Sequence, residues 1–243
     1  MEIRNAGNRI MNTWLYPIED SWVMIDTGYE NSYVSVRKKL QKLRINPEEV
    51  RYLFLTHAPD DHAGFLAEWM TKHPHTQVIA HEKAIDGLRK GQNRFDGGCS
   101  TMMAFLFCQL MALLGNSEHR YPRLGEEHLA RIITLNEDNL AEMESELNGK
   151  ILFTPGHTAD SISLVVDGNL FCGDAAMNGI PSSHKITIWV EAKAAFENSW
   201  DVLLSSGAKK ICPAHGSPFC PCELRQNKKF IAGLHLRPLK ENA

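Results

Sequence analysis

Apolar residues recur along this chain in two rhythms, with short polar stretches between them. Alternation around Trp14, Tyr16, Trp22 and Met24, interrupted by Glu19-Asp20-Ser21, predicts a strand, a turn and a second strand over residues 12–26. From Asn31 the rhythm changes. Tyr33, Val36, Leu40 and Leu43 fall three and four apart, with Arg37, Lys38, Lys39 and Lys42 between them, which predicts an amphipathic helix with a solvated basic face. Asn46-Pro47 stops that helix. Tyr52 to Leu55 then reads as a buried strand, Phe65, Leu66, Trp69 and Met70 as a helix, and Val78 to Ala80 as a strand. Strand, loop, helix, strand is a βαβ-like unit.

The second half repeats this logic. Arg131–Thr134, Ile151–Thr154, Ile162–Val166 and Leu170–Cys172 are predicted strands, with Asp167-Gly168-Asn169 a tight hairpin turn between the last two. A helix over Glu191–Ser206, a strand at Lys210–Cys212 and a closing helix over 222–236 complete the pattern. Both halves mix strands and helices, which fits an α/β class with two sheets packed together and helices outside. Residues 91–128 interrupt the rhythm and read as a helical insertion in a single domain spanning 1–243. Within it, Gly91 to Gly98 reads as a flexible joint. The run Met102 to Leu114 is apolar on every face, yet shorter than the roughly 20 residues a membrane span needs, so a helix buried on most sides is expected. Three uses stand beside one another: a plain core helix, a lid lining an apolar pocket that would suit a substrate with a greasy group, and a homodimer interface.

Composition adds boundaries. With 43% apolar and 23% charged residues the chain is an ordinary globular one, and a net charge of −3 gives no broad basic field, so no nucleic-acid partner is expected. Met1 to Asn5 lacks the basic-then-apolar layout of a secretion signal, so a cytoplasmic protein is expected. Six scattered cysteines, Cys99, Cys108, Cys172, Cys212, Cys220 and Cys222, are expected to remain thiols rather than a disulfide framework.

Candidate chemistry lies at the ends of the apolar runs. Thr56-His57-Ala58-Pro59-Asp60-Asp61-His62 follows Leu53-Phe54-Leu55 and places two imidazoles and carboxylates in one loop. His157 follows Phe153-Thr154-Pro155-Gly156, Asp174 follows Phe171-Cys172-Gly173, and His215 follows Ile211-Cys212-Pro213-Ala214. Imidazole nitrogen with carboxylate oxygen suits zinc, iron or manganese. The remaining histidines, His73, His75, His81, His119, His128, His184 and His235, read as surface or hydrogen-bonded residues, with the insertion and His184 the places where a substitute ligand could arise. Asp26 in Asp26-Thr27-Gly28 is either a ligand or an acceptor that holds loops through backbone N–H groups.

In order, Asp26-Thr27-Gly28, the 56–62 loop, Pro155-Gly156-His157, Gly173-Asp174 and His215-Gly216 resemble the metallo-β-lactamase superfamily, whose pattern is Asp-Thr-Gly, Thr-His-x-His-x-Asp-His, Pro-Gly-His, Gly-Asp and His-Gly. One position departs: Pro59 stands where the loop's second histidine would be. The resemblance implies an αββα sandwich, two mixed β-sheets packed face to face, with metals at one edge and Asp26 in the structural role. It also implies one or two divalent ions per chain, zinc first, with iron or manganese as alternatives. His57 and His157 would serve a first ion, Asp61, His62 and His215 a second, and Asp174 would bridge them. Pro59 removes one nitrogen from the first, which keeps three protein ligands.

Two close ions would hold a water that loses its proton near neutral pH, with Asp61 orienting the nucleophile or carrying its proton, so the activity expected is hydrolysis of an ester, thioester, lactone or related bond in a small molecule. Two alternatives belong to other classes. One is a di-iron redox protein, for which relatives with altered loops are the precedent; with no appended flavin domain expected after His215, it would need an external electron donor. The other is a non-catalytic binding protein with an impaired metal site.

Overall fold

The computed structural model describes residues 2–92, 96–115 and 119–239. The chain forms two compact units, residues 1–93 with 120–151 and residues 94–119 with 152–243. In the first, one sheet holds six strands in chain order: β1 (Arg4–Asn5), β2 (Trp14–Ile18), β3 (Ser21–Ile25), β4 (Val50–Phe54), β5 (Gln77–His81) and β7 (Ile132–Leu135). The hairpin β2–β3 is antiparallel, while β3, β4, β5 and β7 pair in parallel. Parallel strands need crossovers, and helices supply them here: α1 (Tyr33–Leu43) joins β3 to β4, and α2 (Leu66–Lys72) joins β4 to β5. Each buries the stripe its spacing predicts, with Tyr33, Val36 and Leu40 on α1 and Leu66, Trp69 and Met70 on α2 inside the same core as Leu53, Val78 and Ala80. Helices α3 (Ile85–Lys90), α5 (Glu126–Leu129) and α6 (Leu140–Glu146) complete the unit.

The second unit is built on a four-stranded sheet in the order β12 (Lys210–Cys212), β10 (Asn169–Phe171), β9 (Ile162–Val166), β8 (Lys150–Phe153). A two-residue turn joins β9 to β10, with Asp167 at φ 47° and Gly168 at φ 74°, the pair of positive angles that a tight hairpin of matching twist requires. Phe196, Trp200 and Leu203 of α7 (Lys193–Ser205) pack with Leu170 and Ile211 in its core. The closing helix differs from expectation. It is two short helices, α8 (Pro221–Asn227) and α9 (Lys229–Ala232), and it stops at Ala232 rather than continuing to 236.

Two further expectations are corrected. Cys220 and Cys222 form a disulfide at the start of α8 instead of remaining thiols; two residues apart in an extended N-cap turn, their Cα atoms lie 5.1 Å apart, within the range a disulfide bridges. The apolar run is indeed a helix, α4 (Met102–Leu113), but it is not buried on most sides. Ala104 alone is fully buried on it, packed with Cys99 of β6 (Gly98–Cys99) and Trp189 of β11 (Trp189–Val190), while most of its large side chains face out. A run apolar on every face signals how much surface could be covered, not how much is. Of the joint predicted over 91–98, residues 93–95 lie outside the described residues. No helix among the described residues is long and apolar enough to cross a membrane.

Candidate metal centre

Every predicted ligand occupies a loop that leaves the C-terminal end of a strand. In the first unit, Asp26 follows β3 and the 56–62 loop follows β4, its parallel neighbour. The loop's core is polar and buried: Thr56, His57 and His62 are at most 1% exposed. What holds it is Asp26, whose Oδ1 accepts the Thr56 backbone N–H at 2.8 Å and whose Oδ2 lies 2.8 Å from His62 Nδ1 and from Thr56 Oγ1. A carboxylate can only accept, so His62 Nδ1 carries the proton and Nε2 the lone pair. The Thr56 hydroxyl spends its proton on Asp26 and accepts from His57 Nδ1 at 3.0 Å, which fixes the same tautomer on His57. The two rings sit 3.9 Å apart, centroid to centroid.

Backbone contacts close the loop. The Pro59 carbonyl accepts N–H bonds from His62 and Ala63, and the His62 carbonyl accepts from both the N–H and the hydroxyl of Thr27. Proline thus contributes a rigid first corner to the turn that presents Asp61 and His62. Gly64 is required because a Cβ there would overlap the Asp60 carbonyl oxygen and the Glu30 backbone nitrogen.

The second unit carries the other three. Gly156, at φ 131°, lies against the backbone of Phe196 on α7 where no side chain fits, and its carbonyl accepts the N–H groups of Glu191 and Ala192. His157 Nδ1 donates to the Trp189 carbonyl at 2.8 Å, leaving Nε2 as the lone-pair nitrogen. Asp174 follows β10 and His215 follows β12, and the Ala214 N–H to Gly173 carbonyl bond ties those loops together. Burial raises the Glu191 carboxyl to about 7, with Asp160 and Asp96 adding repulsion.

The separations decide what these groups are arranged for. His157 Nε2 is 3.8 Å from Asp174 Oδ2, and His215 Nε2 is 3.7 Å from Asp174 Oδ1. In the first unit His62 Nε2 is 3.8 Å from Asp61 Oδ1. These are too long for hydrogen bonds. Two donors each about 2.1 Å from one tetrahedral ion stand roughly 3.4 Å apart, close to what is seen. Asp174 divides its oxygens between two histidines. The described residues therefore include His/Asp clusters whose composition and spacing could hold metal.

The family model of the metallo-β-lactamase superfamily matches residues 6–215. The chain belongs to the metallo-β-lactamase superfamily. The metallo-β-lactamase fold-containing protein ST1585 of Sulfurisphaera tokodaii is 29% identical over 168 residues, which are 65% of this chain and 55% of that protein. The chain thus matches little more than half the length of this curated relative. A crystal structure described as ST1585 from Sulfolobus tokodaii superposes with a TM-score of 0.63 at 19% identity over 97% of this chain and 85% of the other. A metallo-β-lactamase of Cronobacter sakazakii with a HARLDQ motif gives 0.66 at 16% identity over 95% and 88%. At these identities the likeness is one of fold, and it is to the mixed α/β metallo-β-lactamase architecture.

Other predicted candidates have other partners. Asp60 belongs to neither donor set among the described residues. His184 bonds Asn227 and stacks on Phe230 with ring centroids 3.7 Å apart, so it is no substitute ligand. His73 and His75 pair with Glu48, His81 caps the Lys83 N–H, and His128 bonds Thr71. The supports that sequence reasoning missed are Thr56, whose hydroxyl orders the His57 tautomer, and the Trp189 carbonyl, a backbone group with no residue-type signature.

Proposed function

We propose that the chain is a metal-dependent hydrolase that attacks an ester, thioester, lactone or related bond in a small molecule. The observation that carries it is Asp174, set with one oxygen toward His157 and the other toward His215. His57, His157 and Asp174 would hold one ion, and Asp61, His62 and His215, joined by the same Asp174, the other. This assignment requires the two units to work as one domain. It also ranks the sets: with Pro59 in place of an imidazole, the His57 set offers three protein donors and the His62 set four, so the second is the tighter.

When bound, a divalent cation supplies Lewis acidity that makes water nucleophilic near neutral pH and polarises the oxygen under attack. The chain's own residues do the rest. Asp26 and Thr56 hold the His62 and His57 rings with Nε2 unprotonated, so the donors need no reorganisation when metal arrives. Asp61, with 18% of its side chain exposed against 8% or less for the imidazoles in the proposed second set, is the donor with a path to solvent and takes the proton released from the attacking water.

The test is to load the purified chain with zinc, manganese or iron(II), count bound metal by mass spectrometry, and assay a nitrophenyl ester, an acyl thioester and a lactone. Metal-dependent turnover of at least one, abolished together with metal binding in Asp174→Ala, is expected. Stoichiometric metal without turnover of any of them, or turnover indifferent to chelator, would overturn the reading.

A further inference from the structure

Helix α4 presents an apolar face on which, among the described residues, nothing of its own chain packs. Met102, Leu106, Leu110 and Leu113 form one row along it and Met103, Phe107, Leu110 and Leu114 the next, at the spacings of three and four that place side chains on one face. Their exposures run from 38% at Phe107 to 86% at Leu113. The opposite side is anchored, with Ala104, Phe105 and Cys108 packed with Cys99, Trp189 and Ile188. The outward rows are thus a fixed feature of a packed helix, capped at its start by the Thr101 side chain, which accepts the Ala104 N–H.

We propose that this face is a self-association surface, covered in solution by α4 of a second copy of the chain. Three observations select that occupant. The first is area. At roughly 150–200 Å² for a fully exposed large side chain, the exposed fractions of the seven residues amount to about 700 Å² per copy, near the ~800 Å² per partner of a standard interface. The second is charge. From Gly98 to Ser117 the sequence has no Asp, Glu, Lys or Arg, so the face offers nothing for an oppositely charged partner to read, yet is complementary to itself. The third is the contrast with a membrane-surface helix, which sets lysines and arginines on its polar side to meet lipid headgroups; α4 has none. Two such helices crossing about a two-fold axis would interleave their rows of side chains, each residue meeting its counterpart's neighbours, the isologous arrangement of most homodimers. The proposal stands apart from the metal reading, since α4 carries none of the six donors.

Sedimentation velocity on the full chain from 1 to 100 μM tests it. Wild type is expected at the mass of two chains, and Leu110→Glu and Leu113→Glu at the mass of one, each weakening association by about 30-fold or more. Leu113, at 86% exposure, guards against misfolding as the cause, because its substitution should leave the thermal midpoint of the single chain unchanged. A wild-type monomer across the range, or a dimer indifferent to both glutamates, would overturn the proposal. So would a monomeric wild type that co-sediments with phosphatidylcholine and phosphatidylglycerol vesicles, which would assign the face to lipid.

Discussion

The 56–62 loop and helix α4 treat their side chains in opposite ways. The loop takes groups that favour water, two imidazoles, a threonine hydroxyl and the Asp26 carboxylate beside them, and buries them almost completely. Helix α4 takes methionine, leucine and phenylalanine and leaves them at the surface. Burying a charge or an amide without partners costs several kcal/mol, so the loop is tolerable only because each polar group meets another at hydrogen-bond distance or faces a donor across a metal-sized gap. Exposing apolar side chains loses their burial energy, and patches of that size on soluble proteins mark surfaces that something covers. Each departure from the ordinary inside-outside rule locates something the chain does.

The sharpest way to break the comparison is to remove the loop's hub. Asp26→Asn leaves the Thr56 N–H, the Thr56 hydroxyl and His62 Nδ1 sharing a neutral amide, half of which donates. A loss of about 3 kcal/mol in urea unfolding and a 10- to 100-fold loss in metal affinity are expected, the second read by competition with a chelator. Unchanged affinity would mean that Asp26 does not set the tautomer. Next in size is Gly64→Ala. Its Cβ meets backbone atoms rather than a flexible side chain, so about 2 kcal/mol of stability should go, and a neutral result would show that the loop relaxes freely.

Pro59→His restores a nitrogen to the weaker set. Metal titration should then show that set tightening about tenfold, the worth of roughly 1.4 kcal/mol, while unchanged stoichiometry and affinity would mean that another residue already fills the place. The smallest effect is read on the thiols. Burial pushes the Cys212 thiol up to about 12, whereas a hydrogen bond with Cys99 and the nearby His119 hold half-buried Cys108 below its ordinary value. With native protein at pH 8, about one Cys212 in ten thousand is thiolate, so Cys108 should react with a disulfide reagent first and Cys212 only on unfolding. Equal rates for the two at pH 8 would contradict their assigned environments.

Much of this was legible beforehand, for a physical reason. Ile162–Val166 and Lys210–Cys212 are strands at their predicted bounds, the first because a run rich in β-branched residues beside a turn leaves few alternatives. The candidate ligands were legible because Thr56 to His62, Pro155 to His157 and Gly173-Asp174 are local clusters of unusual residue types at strand ends. What escaped depends on contacts far apart in sequence. The Trp189 carbonyl that orients His157 is a backbone atom 32 residues away, and the solvent exposure of α4 depends on which of its neighbours fold over it. The short polar helix α6, Leu140–Glu146, buries only Met143 and has too little apolar periodicity to announce itself.

The central claim is that six side chains from four strand-end loops serve one pair of ions, with Asp174 between them. Anomalous scattering from crystals grown with zinc tests it most directly. The account predicts a strong peak about 2.0–2.2 Å from His62 Nε2, His215 Nε2, an Asp61 oxygen and one oxygen of Asp174, with a weaker peak on the other Asp174 oxygen shared with His57 and His157. No peak on Asp174, or a principal peak held by residues outside these six, would contradict it.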